Sequence, residues 1–384
     1  MNALREAATK SSVLITVGSG GVGKTTIAAT LAMRSALEDR GSLVLTIDPA
    51  KRLANALGLE ALGNTEARIS DEAFRAAGLT PKASMHAMML DMKRTWDELI
   101  ERRAPADKRE RILNNKFYQA LSSALAGSQE YIAMEKLWEL RTQRNYPLIV
   151  LDTPPTAHAL DFLDAPNRIL DFLDNDAAKW LLSPALAAGK IGLKLFNLGG
   201  SYVTKTIARF TGTETLQQLA EFMLNISGMN EGFRERAHQT RALLEAETTS
   251  FVLVTGPMPE RVDEAVYFHT LLKQNKMKVA AVVVNRVQPP VPDSLWREAA
   301  RLPESARKRF EQTLKENEFL ATQDARGVAR LRELCEPTPL ILVPRFELDV
   351  HDLRSVWETS RYLWGDARLE LGLGSPLTKA PEPR

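Results

Sequence analysis

Cysteine is almost absent. The chain of 384 residues carries one, Cys335. A single thiol makes neither an internal disulfide nor the multi-thiolate set of a structural zinc site, so no zinc is expected. A surplus of charge is missing too. Lys and Arg number 50 and Asp and Glu 48, a formal +2, which argues against nucleic-acid binding through bulk charge, though not through a local patch, and no nucleic-acid partner is expected. Long apolar runs are missing as well. The first residues, MNALREAATK, hold no hydrophobic signal core, and the most apolar stretch, residues 180–198, is interrupted by Pro184, Lys190 and Lys194. Neither a signal peptide nor a spanning helix fits, and a cytoplasmic location is the expectation. No internal repeat is found. The remainder, 44% apolar and 26% charged residues, is an ordinary globular composition with length for about two or three domains.

What the sequence does have is glycine concentrated in one place. Residues 18–26 read GSGGVGKTT. Gly18, four residues, then Gly23-Lys24-Thr25 satisfies the phosphate-binding pattern G-x-x-x-x-G-K-[ST]. Gly18, Gly20, Gly21 and Gly23, with Ser19 and Val22 between them, can turn successive backbone N–H groups inward around a phosphate. The helix that follows points its positive end at the same anion. Lys24 can then reach the β- and γ-phosphates, and the Thr25 hydroxyl can ligate Mg²⁺. The context fits: residues 12–17 (SVLITV) form a short β-branched run, and residues 26–38 carry helix formers without Pro or Gly.

Further buried strands are expected at residues 43–47, 85–90, 147–151, 251–255, 279–284 and 340–343. Helical patterns separate them, at 50–57, 92–103 capped by Asp91, 110–144, 261–274 and 305–335, while residues 60–83 are uninformative. The methionines at 85, 88, 89 and 92 read as core packing or as a soft binding surface. Residues 158–246 show no strand and several helices broken at Pro166, Pro184, Gly199-Gly200 and Gly212. Short apolar strands alternating with helices predict an α/β fold, a doubly wound, mainly parallel sheet with a helical insertion. The expected division is one domain, with residues 12–157 and 247–365 as its nucleotide-binding core, 158–246 as the helical insertion and 366–384 as a disordered tail.

Polar residues at strand ends complete the site, since ligands of open α/β sheets bind beyond the carboxyl ends of the strands. Asp152 follows PLIVL and fits an acid that holds Mg²⁺ directly or through water. Asp48 ends the second strand; it could orient or deprotonate the attacking water, or cap the helix after Pro49. Asn285 ends VAAVVV; its amide could bond a base edge or form a turn.

These motifs resemble, in order and over residues 12–365, the ArsA/Get family of P-loop ATPases, the arsenical-pump and tail-anchored-protein targeting ATPases. Residues 20–26, GGVGKTT, match the deviant Walker A. Asp48-Pro49-Ala50 matches the first switch. Residues 152–158, DTPPTAH, match the second, with Pro154 and Ala157 where alanine and glycine are usual. Val284-Asn285 resembles the adenine-reading strand end, and Pro344-Arg345-Phe346-Glu347 the late adenine-side loop. The resemblance implies ATP and Mg²⁺ as cofactors. Lys24, Thr25, Asp48 and Asp152 would be the core of the hydrolytic site, with Thr26 near the α-phosphate and His158 in the switch. It also implies a homodimer closed by ATP, acting on an apolar client peptide or helix, or in pump members with a membrane partner; partitioning and positioning ATPases are a further comparison.

Three departures qualify it. The second lysine that defines the deviant Walker A is here Ser19, and Lys51 and Arg52 after the first switch could supply the charge or simply be solvated. The C-x-x-C pair that binds zinc between subunits of targeting members is missing. One cysteine cannot rebuild the thiolate site of the arsenical pumps. In the helical region, Leu216, Leu219, Ala220, Met223 and Ile226 fall on one helical face and Gln217, Gln218, Glu221 and Asn225 on the other. Trp180, Leu182, Leu186, Leu193 and Phe196 form a second apolar stripe. These stripes could line a client groove, pack on each other or close a dimer.

Overall fold

The computed structural model describes residues 2–47, 52–124, 128–154 and 229–371, together with Gln218, Glu221, Phe222, Asn225 and Ile226. The strands are β1 Val13–Val17, β2 Ser42–Thr46, β3 Ala67–Arg68, β4 Met85–Met89, β5 Leu148–Asp152, β6 Thr249–Thr255, β7 Val279–Val287 and β8 Leu340–Pro344. The described helices are α1 Ala3–Lys10, α2 Lys24–Leu37, α3 Arg52–Ala56, α4 Asp71–Ala76, α5 Met92–Arg103, α6 Arg109–Leu113, α7 Lys116–Ala124, α8 Ser128–Gln143, α9 Asn230–Glu245, α10 Pro259–Gln274, α11 Asp293–Ala299, α12 Glu304–Leu334 and α13 Leu353–Trp364. They fall into two compact units. One is drawn from Met1–Met88, Tyr146–Ala157 and Glu247–Arg384, the other from Met89–Asn145 and His158–Ala246.

The first unit is built on one sheet of eight strands in the order β3-β4-β2-β5-β1-β6-β7-β8. β1 runs parallel to β5 and β6, β2 to β5, and β7 to β6 and β8. Only the β3–β4 pairing is antiparallel among the pairings given. Every residue of β1, β2, β5 and β6 is buried. A strand hidden on both faces cannot alternate, which is why these segments are short apolar, β-branched runs. The expected mainly parallel α/β sheet is therefore present, and its strands lie within a few residues of the expected positions.

The differences have local causes. β6 starts earlier than expected because its polar opening residues are buried and paired: Ser250 Oγ lies 2.9 Å from Ser11 Oγ. β7 runs past Asn285 to Val287 through an irregular register. β3 has two residues, too few for any periodicity. α13 begins at a capping box in which Asp352 accepts from the Ser355 N–H at 2.7 Å and the Ser355 hydroxyl answers. The start of the segment expected to be disordered is held instead, since Asp366 pairs with Arg34 and the Ala367 N–H donates to the Arg361 carbonyl.

The second unit takes in Met89–Asn145, which the expected division had assigned to the nucleotide-binding core. Its helix α5 starts as read, with the Asp91 carboxylate accepting from the Arg94 N–H at 2.9 Å. Aromatic rings fill its interior: Trp96 stacks on Tyr131 at 5.7 Å, and Phe222 lies 5.4 Å from Phe117 and 6.2 Å from Tyr118. Buried Glu135 on α8 takes Arg236 of α9 at 3.2 Å and Arg103 of α5 at 3.7 Å. Of the apolar stripe around 216–226, Ile226 is buried, but so is Asn225, which had been placed on the polar face. Leu216, Leu219, Ala220 and Met223, and the stripe from Trp180 to Phe196, lie outside the described residues.

Within the first unit one buried cation fixes the far end of α2. The Arg34 guanidinium sits 4.6 Å from the Trp357 ring centre and 5.5 Å from that of Trp364, both on α13. It also holds Asp366 at 2.6 Å. Arg34→Ala should lower the unfolding free energy by about 2–3 kcal/mol, through lost packing and cation–π contact. Arg34→Lys should recover less than half of that, because an ammonium cannot stack as a planar guanidinium does. Urea unfolding of both variants measures this.

Candidate nucleotide site

The glycine-rich loop leaves the carboxyl end of β1, in the middle of the sheet, and feeds α2. Two of its glycines are dictated by neighbours as well as by backbone angle. Gly18 has φ +146°, and a Cβ there would lie 2.0 Å from the Val254 carbonyl oxygen of β6. Gly23, the N-cap of α2, has φ +97°, and a Cβ would lie 2.3 Å from the Asn285 amide nitrogen. At Gly18 the obstacle is backbone and cannot give; at Gly23 a side chain would have to displace the Asn285 amide and adopt a strained backbone angle.

The loop's carbonyls are held by named donors. Lys24 Nζ donates to the Gly18 carbonyl at 2.8 Å and to the Ser19 carbonyl at 2.9 Å. Arg286 Nη1 donates to the Gly21 carbonyl at 3.2 Å, and Asn285 Nδ2 to the Val22 carbonyl at 2.9 Å. The Gly23 carbonyl accepts the Ile27 N–H of α2 at 3.0 Å. In a trans peptide the N–H points opposite to the carbonyl. Fixing a carbonyl therefore also fixes the N–H of its own peptide, and fixed N–H groups are what an anion requires. Thr25 and Thr26 form the first turn of α2 and are half-buried.

Beside the loop, the ends of β2 and β5 carry the acid. Thr46 and Asp152 are register partners, as are Thr16 and Asp152. Asp152 is fully buried, and its Oδ2 accepts the Thr46 hydroxyl at 2.8 Å. The next residue, Thr153, donates its hydroxyl to the Thr16 carbonyl at 2.8 Å. The β1, β2 and β5 ends are thus tied into one rigid edge. Asp48, Lys51 and His158 lie outside the described residues, and Arg52 is exposed at the start of α3.

On the other side, Pro344 pairs with Val287, and the Arg345 N–H donates to the Val287 carbonyl at 2.8 Å. Arg345 is exposed. Phe346 turns its ring onto Tyr362 of α13, at 6.0 Å and nearly perpendicular. The Asn285 amide is engaged with the loop. Its Oδ1 accepts the Arg286 N–H at 3.0 Å, which orients the amide nitrogen toward Val22. Arg286 is the residue that sequence reading missed. Its only signal is a second polar position after Asn285 inside an otherwise apolar strand. Beyond it, the Gln288 N–H donates to Asp324 of α12 at 2.7 Å. Burial pushes the Asp324 carboxyl up, and the Gln288 N–H pulls it back.

The residues brought together can receive a phosphate on backbone N–H groups, a β-side cation from Lys24, and oxygen donors from Thr25 and Asp152. Comparison with known proteins agrees with that chemistry. A family model described as anion-transporting ATPase matches residues 11–337. The chain is 29% identical over 307 residues to ATPase GET3B of Arabidopsis thaliana, covering 73% of this chain and 66% of that protein. It is 26% identical over 283 residues to ATPase GET3C of the same organism, covering 71% and 66%. With ATPase GET3 of Malassezia globosa it shares 31% over 150 residues, 39% of this chain and 41% of that one. In each case the chain spans less than two thirds of the relative's length.

Gly23→Ala should weaken ATP binding at least tenfold, because the new methyl group must displace the Asn285 amide as well as strain the backbone. Titration with a fluorescent ATP analogue reads this directly, and the doubly substituted Gly23→Ala/Asn285→Ala protein should regain part of the loss.

Proposed function

The chain belongs to the anion-transporting ATPase family, and on that premise we propose that it binds ATP with Mg²⁺ and hydrolyses it to drive a conformational switch. The observation that carries the reading is the loop whose carbonyls are held by Lys24, Asn285 and Arg286. Lys24 would exchange its two carbonyl partners for phosphate oxygens, a trade of neutral acceptors for charged ones. The Thr25 hydroxyl and the Asp152 carboxylate are hard oxygen donors of the kind that Mg²⁺ takes. The Thr46 hydroxyl holds that carboxylate in a fixed orientation. Bound Mg²⁺ would neutralise the charge that develops on the phosphate oxygens. Asp48, at the next strand end, would orient or deprotonate water.

The role we propose for the cycle is a chaperone or targeting one, in which two copies of the chain close on ATP and handle an apolar client in the cytoplasm. The resemblance of the switch motifs and the similarity to ATPases named GET3 support it. Residues 158–246 would respond to the client. The family's description favours a second reading, an anion or metalloid pump subunit with a membrane partner. Against a thiolate metalloid site stands Cys335. It is fully buried, and burial pushes its thiol up, away from the reactive thiolate. No structural zinc is proposed. Among the described residues no helix is long and apolar enough to cross a membrane.

Lys24→Ala should abolish ATP binding, while Asp48→Asn should bind ATP and hydrolyse it about a hundredfold more slowly or worse, the scale expected for a group that activates water. Steady-state phosphate release and equilibrium binding separate the two effects. Turnover stimulated by an apolar peptide, and not by arsenite or DNA, is the outcome expected for the wild type. Arsenite stimulation that disappears in Cys335→Ala would overturn the client reading in favour of the pump.

A further inference from the structure

We propose that Arg286 is a positioning residue of the phosphate loop. Its guanidinium and the neighbouring Asn285 amide hold two successive peptides so that the Val22 and Gly23 N–H groups face the phosphates. The proposal rests on the nucleotide-site reading above and adds to it a residue outside the loop and switch motifs.

In an extended strand, adjacent side chains point to opposite faces. Asn285 and Arg286 are adjacent in β7, yet both reach the same loop: Asn285 Nδ2 to Val22, Arg286 Nη1 to Gly21. The backbone makes that possible by leaving the extended conformation. Arg286 has φ +60°, in the left-handed region, and the pairing with β8 shifts register between Val284 and Val287. A long side chain adopts that conformation only where the surroundings enforce it. Here they do. The Arg286 N–H closes onto Asn285 Oδ1, the Gln288 N–H is held by Asp324, and the Val287 carbonyl takes the Arg345 N–H. The kink is pinned on both sides, and its effect is to place two donors beside one another.

The acceptors they meet matter more than the bonds themselves. The Gly21 carbonyl and the Val22 N–H belong to one peptide, as do the Val22 carbonyl and the Gly23 N–H. Gly21 has φ +77°, a conformation that glycine enters and leaves freely, so the residue itself does little to fix that peptide. A loop free to rotate there would present carbonyl oxygen and N–H to a phosphate in turn. Arg286 removes the wrong orientation. Because these backbone groups cradle the phosphates shared by ATP and ADP, the residue should act on both nucleotides alike.

The experiment uses the full chain and two variants. Arg286→Gly relieves the left-handed backbone and removes the donor. It should melt at or above the wild-type temperature and bind ADP and ATP about tenfold more weakly. Arg286→Lys keeps a cation at a backbone angle that lysine already adopts in this protein, at Lys276 with φ +56°. It should bind both nucleotides with intermediate affinity. Calorimetric titration with ADP and with ATP, beside thermal melting, reads all of these. Wild-type affinity for both nucleotides in Arg286→Gly would overturn the proposal while leaving the nucleotide site standing. So would a loss that Arg286→Lys does nothing to restore. Failure of the wild-type protein to bind either nucleotide would overturn the site reading, and this proposal with it.

Discussion

The constraint on which the rest depends is that a peptide has two ends. To offer N–H groups to an anion, the loop at 18–23 must turn its carbonyls away, and a carbonyl turned away must still be satisfied. The loop cannot do this alone. Lys24 covers two carbonyls that it would give up to a phosphate, and β7 supplies donors for two more. That requirement explains the strand order around it. β1, which delivers the loop, lies between β5, which brings Asp152, and β6, whose Val254 carbonyl presses on Gly18. β7, next to β6, is then near enough to send Asn285 and Arg286 across.

A loop held in this way is only as fixed as the helix that follows it. α2 is buried along most of its length and is anchored near its far end by Arg34 between two tryptophans of α13. The same helix is fastened to the sheet through polar groups, for the Ala32 carbonyl accepts the Ser42 hydroxyl of β2 at 2.7 Å. Buried polar contacts add less to stability than apolar packing, but they admit one register and no other. A helix that slid along the sheet would move Lys24 and Thr25 out of place by the same amount.

The loop and the strands were legible in the sequence because each is a local matter. Spacing alone identifies residues 18–25, and a strand buried on both faces must be an apolar run. What could not be read was anything decided by partners distant in sequence. Helical patterns at 92–144 say nothing about which core they join, and α5 to α8 belong with the second unit. Asn225 looks like a surface residue by type and is buried. A two-residue strand such as β3 has no period to detect. Asn285 stands out in the sequence as the polar residue after an apolar run, but β7 continues past it, and the bond from its amide to Val22 could not be read. Arg286 gives only a faint signal, a second polar position in an apolar strand, because its reach to the loop depends on a backbone angle that arginine rarely adopts.

The departure at position 19 follows the same logic. Ser19 accepts from Lys24 through its carbonyl, and none of the contacts among the described residues runs through its side chain. The contact described at that position therefore runs through the backbone. Two cations donate to the loop's carbonyls, Lys24 from the helix to Gly18 and Ser19 and Arg286 from β7 to Gly21. Within its own fold the chain holds the Gly21 and Val22 carbonyls from β7, and with them the peptides that carry the Val22 and Gly23 N–H groups.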